Sequence, residues 1–335
     1  MKAAIIGCGN IAQVHASCVN EMKEHEIVAF ADIDAEKART MSLKYGGGAF
    51  SSMEKLLEKT QVDILHICTP HYLHAPMAEY ALRFGVNVFM EKPPVINEEQ
   101  HAMLRELRTN KQLGVCFQNR YNQSFCKVRE MLLSGKAGKI RGARGIVTWN
   151  RQEKYYAESL WRGRLALEGG GALINQSIHT MDLLNVLLGG APDAVDAAIM
   201  NHHLIDKIEV EDTMSAYIQY GAIPVCFYVT TAYSSDPDPI IELDCERMKI
   251  RIEGPNVIYF YLDGKIESLT AESKNNPGKK YWGAGHKLCI AEFYECVLGK
   301  KKFSLDLDGI ESTVCLMLGA YKSARERHTI VLNAC

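Results

Sequence analysis

Several features are missing from this chain of 335 residues. Its 11 cysteines include no C-x-x-C pair and no other zinc-like spacing, which excludes a zinc-organised fold. Scattered through apolar segments and odd in number, they read as free thiols of a reducing compartment. No apolar run reaches the ~18 residues of a membrane span. The apolar start Ala3-Ala4-Ile5-Ile6 is broken by Gly7, Gly9 and Asn10 before a signal-peptide core is complete, so a cytoplasmic location without a membrane partner is expected. Excess charge is also absent. With 38 basic and 40 acidic residues the net charge is -2, and no positive field draws the chain to nucleic acid. Neither internal repeats nor a low-complexity linker are present. What remains is an ordinary folded composition, 47% hydrophobic, whose length suits about two domains at roughly 150 residues each.

The first part alternates strand and helix. Lys2 to Ile6, Glu26 to Asp32, Asp63 to Thr69, Asn87 to Glu91 and Gly114 to Asn119 are short apolar strand-like runs. Helical patterns lie between most of them, one from Ala35 to Tyr45 ending at Gly46-Gly47-Gly48. Repeated β-α-β order predicts a doubly wound parallel sheet covered on both faces. After about residue 120 long strands follow one another: Ile140 to Trp149, Asp193 to His203, Asp212 to Tyr220, Val225 to Tyr233, Ile240 to Glu253 and Asn256 to Leu262. They predict an open, mainly antiparallel sheet. Helices near 123–134, 171–188, 286–298 and 307–327 would cover one face and leave the other for a second subunit, giving a homo-oligomer.

Gly7-Cys8-Gly9-Asn10-Ile11-Ala12 is G-x-G-x-x-A between the first strand and the first helix. Gly7 permits the tight turn, Gly9 admits a pyrophosphate close to the backbone, and Ala12 allows close helix packing. Helix N-terminal amides then hold negative charge. Asp32, at the end of the second strand, has the spacing of a carboxylate that accepts a ribose hydroxyl. With Ile33 and Asp34 next and no basic residue there, NAD is favoured over NADP. The alternative for Asp32 is a helix N-cap. Other strand ends carry Thr69-Pro70, Glu91-Lys92-Pro93-Pro94 and Gln118-Asn119-Arg120, polar groups at the edge where ligands collect in such sheets.

At Glu91-Lys92-Pro93 the chain resembles the Gfo/Idh/MocA oxidoreductase family. The likeness takes in Gly7 to Ala12, Asp32, Cys68-Thr69-Pro70 with His74, and Trp161-Arg162. It continues through Gly169-Gly170-Gly171, His179-Thr180-Met181-Asp182 and Tyr321-Lys322-Ser323-Ala324. The resemblance implies an NAD-binding Rossmann domain over 1–120. It also implies a substrate-binding and oligomerisation domain over 121–335, whose sheet builds dimers or tetramers. Candidates for the cofactor site are Gly7, Cys8, Gly9, Asn10, Ile11, Ala12, Asp32, Ile33, Cys68, Thr69, Pro70, His74, Glu91, Lys92, Gln118, Trp161 and Arg162.

Oxidising a secondary alcohol needs a base for the hydroxyl proton while hydride leaves carbon. Lys92, at a strand end among apolar residues and prolines, suits that task, and the matching lysine performs it in the family. Asn175 and His179 are four apart on the helix after the glycines, with Asp182 three further on, which predicts one shared face. Inositol-dehydrogenase-like members have aspartate where this chain has Asn175. An amide exchanges no proton at neutral pH, so acid/base duty passes to Lys92 and His179, with Asn175 bonding a sugar hydroxyl. Asn175-Gln176-Ser177-Ile178-His179 looks more like members that oxidise the 3-position of sugars, including nucleotide-sugar uronates.

Arg120, Tyr121, Asn175, Asp182, Tyr233 and Tyr281 are candidates for contacting a polyhydroxylated substrate. Each aromatic has packing within a sheet as its alternative. His202 and His203, adjacent on a strand-like run, point to opposite faces, so no metal is expected. The favoured function is an NAD-dependent dehydrogenase or reductase of a sugar, glycoside or cyclitol. Alternatives are an NAD-retaining enzyme that cleaves glycosides through transient 3-oxidation, an inositol dehydrogenase, and a non-catalytic sensor.

Overall fold

Strands β1 (Lys2–Ile6) and β4 (Ile64–Ile67) offer almost no polar alternation, and in the computed structural model they are buried nearly throughout, as interior strands covered on both faces must be. The structure describes residues 1–270, 285–299 and 301–332. They form two compact units. The first comprises Met1–Gln118 together with the described residues of 275–310, and the second the described residues of 119–274 and 311–335. The division is therefore not a single cut near residue 120, because a late segment returns to the first unit.

The first unit adds β2 (Glu26–Ala31), β3 (Gly48–Phe50), β5 (Asn87–Glu91) and β6 (Leu113–Cys116). The six strands are all parallel in the order β3-β2-β1-β4-β5-β6. The order reverses at β1 and β4, which opens a crevice at their carboxyl ends. Helices are punctuated as their sequences demand. Asp34 caps Ala35–Tyr45, Ser52 caps Met53–Lys59, and Asn97 caps Glu98–Glu106. The returning helix Gly285–Val297 brings Phe293, and Phe303 follows. A Cβ on Gly114 would lie 2.6 Å from the Phe293 ring and 2.8 Å from the Phe303 ring, so these aromatics fill the space above β6.

The second unit is built on a sheet of nine strands: β7 (Ile140–Thr148), β8 (Ala194–Met200), β9 (Thr213–Tyr220), β10 (Ile223–Thr230), β11 (Ile240–Cys245), β12 (Met248–Glu253), β13 (Asn256–Tyr261), β14 (Ile266–Thr270) and β15 (Ile330–Val331). Its order is β14-β13-β12-β11-β7-β10-β9-β8-β15, antiparallel except for the β7/β10 pair. Burial alternates along β10 and β12, the signature of a sheet with one covered face. The run Ile240 to Glu253, read as one strand from the sequence, is a hairpin that turns at Glu246-Arg247. With neither glycine nor proline there, the turn leaves no mark in the alternation. Among the described residues no helix is long and apolar enough to cross a membrane. Among the described residues nine cysteines are free thiols.

Candidate active site

In the first unit Gly7 has φ +83, and a Cβ there would lie 2.6 Å from the Cys68 carbonyl carbon and oxygen. Glycine is obligatory at that turn. A Cβ on Gly9 would meet nothing within 4 Å. Behind it, helix Asn10–Glu21 starts with no side-chain cap and no acidic residue in its first turn. Its first amides thus lack an internal anion, which is the arrangement that receives a phosphate. Ala12 is fully buried, as close packing requires.

Asp32 stands against the same loop. Its carboxylate accepts from the Cys8 amide at 2.7 Å and from the Asp34 amide at 2.8 Å. The N-cap role belongs to Asp34, whose side chain accepts from the Glu36 amide, so the capping alternative for Asp32 falls away. Each Asp32 oxygen retains acceptor capacity for a ligand hydroxyl. Ile33 beside it is 94% exposed, an apolar surface at the tip of β2. Burial, with the Asp32 charge adding, pushes the Cys8 thiol up to about 12, so it stays neutral.

The Glu-Lys-Pro segment is anchored on both sides. His74 is buried, with its ring nitrogens 2.7 Å from the Pro93 carbonyl and 2.8 Å from the Thr69 carbonyl. Burial lowers its pKa against the opposing pull of those carbonyls. Glu91, named by the sequence as a cofactor residue, is buried and lies 3.0 Å from His15 Nε2, while its other oxygen accepts from the Lys92 amide at 3.3 Å. Lys92 itself is half-buried. Burial works against charge on Glu91, but the hydrogen bond from His15 and the fields of His15, His286 and Lys92 prevail, and the carboxyl is held well below the usual range.

Sequence reasoning missed the polar chain behind Glu91. His15 Nδ1 lies 2.9 Å from His66 Nδ1, and His66 Nε2 lies 2.8 Å from the Tyr294 hydroxyl. One arrangement satisfies every contact: Tyr294 donates to His66, His66 to His15, and His15 to Glu91. His15, Glu91 and Cys116 bring ligand-type atoms within 4.8 Å. Burial keeps Cys116 protonated, and His15 is committed to Glu91, so the trio reads as a hydrogen-bonded network. Histidines at spaced positions on a helix and strands have no sequence signature for this assembly.

His286, in the same interior, has its pKa lowered by burial from 6.5 to about 4. Between those values the unfolded chain binds a proton that the native state refuses, so stability falls as pH drops from 6.5 to about 4 and rises with pH across that window. The expected loss for this group is about 3 kcal/mol. Urea midpoints across that range test it. His286→Leu should flatten the decline, and a wild-type midpoint that is constant over the window would refute the assignment.

The second unit holds the remaining candidates. Ala172–Ser177 is a π-helical turn, and the regular helix runs only from Ile178 to Leu187. The expected regular helix from residue 171 is thereby corrected. Glycines let the backbone enter tightly: a Cβ on Gly171 would lie 2.1 Å from the Glu211 carbonyl oxygen. Asn175 donates through Nδ2 to Glu168 at 2.5 Å and lies 3.3 Å from the Tyr155 hydroxyl. Asp182 has different partners, so the predicted shared stripe is divided. It accepts from Arg120 Nε at 2.8 Å, Arg120 Nη2 at 2.5 Å and Thr313 Oγ1 at 2.7 Å. Arg120 and Asp182, both named as substrate residues, are thus joined in a bidentate pair. His179 is half-buried on the regular helix.

Arg162 stacks over Tyr155, its guanidinium carbon 4.4 Å from the ring centroid, with Trp161 5.4 Å away. Gln118 is buried at the end of the first unit's main segment, and Tyr121 is half-buried in the second. Tyr233 is exposed beyond β10. Tyr281 lies outside the described residues. Lys92 belongs to the first unit, and Asn175 and His179 to the second.

Residues 1–119 match the model of an oxidoreductase family with an NAD-binding Rossmann fold, and residues 125–251 match the GFO/IDH/MocA C-terminal domain. The chain belongs to the Gfo/Idh/MocA oxidoreductase family. Among relatives in this family, D-glucoside 3-dehydrogenase of Escherichia coli (strain K12) is 29% identical over 56% of the chain, and inositol 2-dehydrogenase of Rhizobium meliloti (strain 1021) is 27% identical over 65%. In these alignments the chain spans only 54% and 65% of the two relatives' own lengths. The WlbA dehydrogenase of Bordetella pertussis, solved with NADH and UDP-GlcNAcA, superposes with a TM-score of 0.86 at 25% identity, covering 100% of this chain and 99% of that one.

Proposed function

We propose that the protein is an NAD-dependent oxidoreductase that interconverts a secondary hydroxyl and the ketone of a sugar, glycoside or cyclitol. The observation that carries this reading is the loop after β1: an obligatory glycine, an uncapped helix N-terminus and the Asp32 carboxylate gathered at one point. Gly7 to Ala12 would hold the pyrophosphate and Asp32 the ribose, with Ile33 against the adenine side. Bound nicotinamide supplies the acceptor or donor of hydride. Lys92 and His179 hold and move the hydroxyl proton, and Asn175 orients a neighbouring hydroxyl.

The E. coli relative is named for position 3 and the Bordetella neighbour holds a nucleotide-sugar uronate, which supports a sugar 3-hydroxyl as the reacting group. The amide at 175 in place of the aspartate of inositol-dehydrogenase-like members supports the same choice. A cytoplasmic location and a homodimer or homotetramer through the nine-stranded sheet belong to this proposal. Exposed Tyr217 and Tyr228 on that sheet are the side chains a second subunit would cover, and light scattering on a sizing column reads the outcome.

Incubation with NAD and a panel of sugars, uronates, glycosides and cyclitols, followed through reduced-nicotinamide absorbance, tests the activity. Inactivity across the panel would overturn it. Aglycone release without accumulated reduced cofactor would identify the glycoside-cleaving alternative. Asp32→Ser should weaken NAD binding by roughly 10- to 100-fold, the effect of losing a hydrogen bond to a charged group, and narrow the preference over NADP. Calorimetric titration of both cofactors measures this. Equal affinity of the wild type for the two would contradict the role given to Asp32.

A further inference from the structure

Glu168 is the residue before the three glycines and is 1% exposed. It accepts from the Gly163 amide through Oε2 and from Asn175 Nδ2 through Oε1, both at 2.5 Å. These donors converge on a buried carboxylate, and one of them is the side chain assigned above to a substrate hydroxyl. We propose that Glu168 is the positioning residue of Asn175. As a carboxylate it holds the amide with its nitrogen turned inward, and on taking up a proton it reverses that preference, changing Asn175 from acceptor to donor toward a sugar hydroxyl. The inference rests on the reading that Asn175 meets the sugar.

The chemistry follows from what each form of the groups can exchange. An ionised carboxyl only accepts, so it selects the NH₂ half of the amide and leaves the carbonyl oxygen as the outward half. A protonated carboxyl carries one O–H donor, which the amide oxygen accepts if the side chain turns over. The Gly163 amide still finds an acceptor in the second carboxyl oxygen, so the reversal leaves that contact intact.

The charged and titratable groups around Glu168 put the exchange within working pH. Burial raises its pKa from 4.5 to about 7 and Glu211 adds to the rise, while the Gly163 and Asn175 hydrogen bonds and the Arg162 charge oppose it. Glu211 is committed elsewhere, accepting from Tyr321 at 2.8 Å and from the Gly171 and Leu173 amides at 2.9 and 3.0 Å. Tyr155 and Tyr156 face the same carboxyl, with Arg151 beside Tyr155, and burial raises both phenols, so neither loses a proton near neutrality. Tyr321 is likewise raised by burial. Burial raises Glu211 as well, and it is Glu168 that takes the Asn175 amide, so the Glu168→Gln control assigns the titration to it.

The test reads Asn175 directly. In protein labelled with ¹⁵N-asparagine, its side-chain amide is assigned by its loss in Asn175→Ala. That signal should shift with a midpoint near pH 7, and the shift should vanish in Glu168→Gln. A signal unmoved between about pH 6 and pH 8 overturns the proposal whether or not any substrate is known, and the wild-type titration stands even if the variant folds poorly. With an active sugar, KM should change roughly tenfold across the same midpoint, the size of one hydrogen bond gained or lost, with kcat little altered. Asn175→Ala should lose that inflection. Its persistence in Asn175→Ala would show that Glu168 does not act through the amide, and would refute the proposal. Failure of every sugar to react, with the Asn175 shift intact, would instead remove the functional reading and leave the Glu168–Asn175 coupling standing.

Discussion

Lys92→Ala is expected to reduce turnover by about 100- to 10,000-fold. The lysine follows β5 between two fixed neighbours. On one side Glu91 is tied to His15 and takes the Lys92 amide, and on the other Pro93 is tied to His74 through its carbonyl. A side chain projecting from so constrained a stretch starts from a defined position, which is what proton transfer at a single hydroxyl demands. His179→Ala should produce a loss of similar order. If the two share one proton, the double variant should be little worse than the poorer single variant. Steady-state kinetics with the best substrate, beside cofactor titration, decide the matter. Single variants within threefold of wild type would remove both residues from the chemistry.

The largest effect on stability is expected at Asp182→Ala, a loss of about 3–5 kcal/mol. Asp182 is 1% exposed and takes both arms of the Arg120 guanidinium as well as the Thr313 hydroxyl. Removing it takes a paired charge and two hydrogen bonds from a guanidinium in a site where water is scarce. That is a large fraction of the stability of an ordinary protein, about 5–15 kcal/mol. Arg120→Met with Asp182→Leu, which removes both charges and keeps the volume, should recover most of the loss. Urea unfolding of the three proteins measures the series. A shift below 1 kcal/mol for the single variant, small against the loss of a buried charge partner, would show that water still reaches Arg120.

The first sheet was legible because each of its principal strands is an apolar run bounded by polar residues, and because Gly7 stands at the turn after β1 that only glycine fits. β3, only Gly48–Phe50, was too short to register. In the second unit the alternating strands announced themselves, yet the β11/β12 turn did not, since Glu246 and Arg247 continue the pattern. Of the residues proposed for the chemistry, Lys92, Asn175 and His179 were visible as residue types in a motif. Their partners were not. Glu168 precedes a glycine run and looks like a helix-terminal charge, and the link between His15 and Tyr294 spans most of the chain. Side-chain partnerships that depend on which interior group lies opposite leave no period in the sequence.

The aromatic pair Phe293 and Phe303 over Gly114 has a consequence for synthesis on the ribosome. The amino-terminal half of the chain emerges first, but the surface above β6 stays bare until residues near 310 have been translated. Vectorial completion of the nucleotide-binding half before the rest is therefore denied to this protein. For many seconds the nascent chain must carry an apolar floor with no ceiling, and a chain released early would present that floor to chaperones rather than to a cofactor.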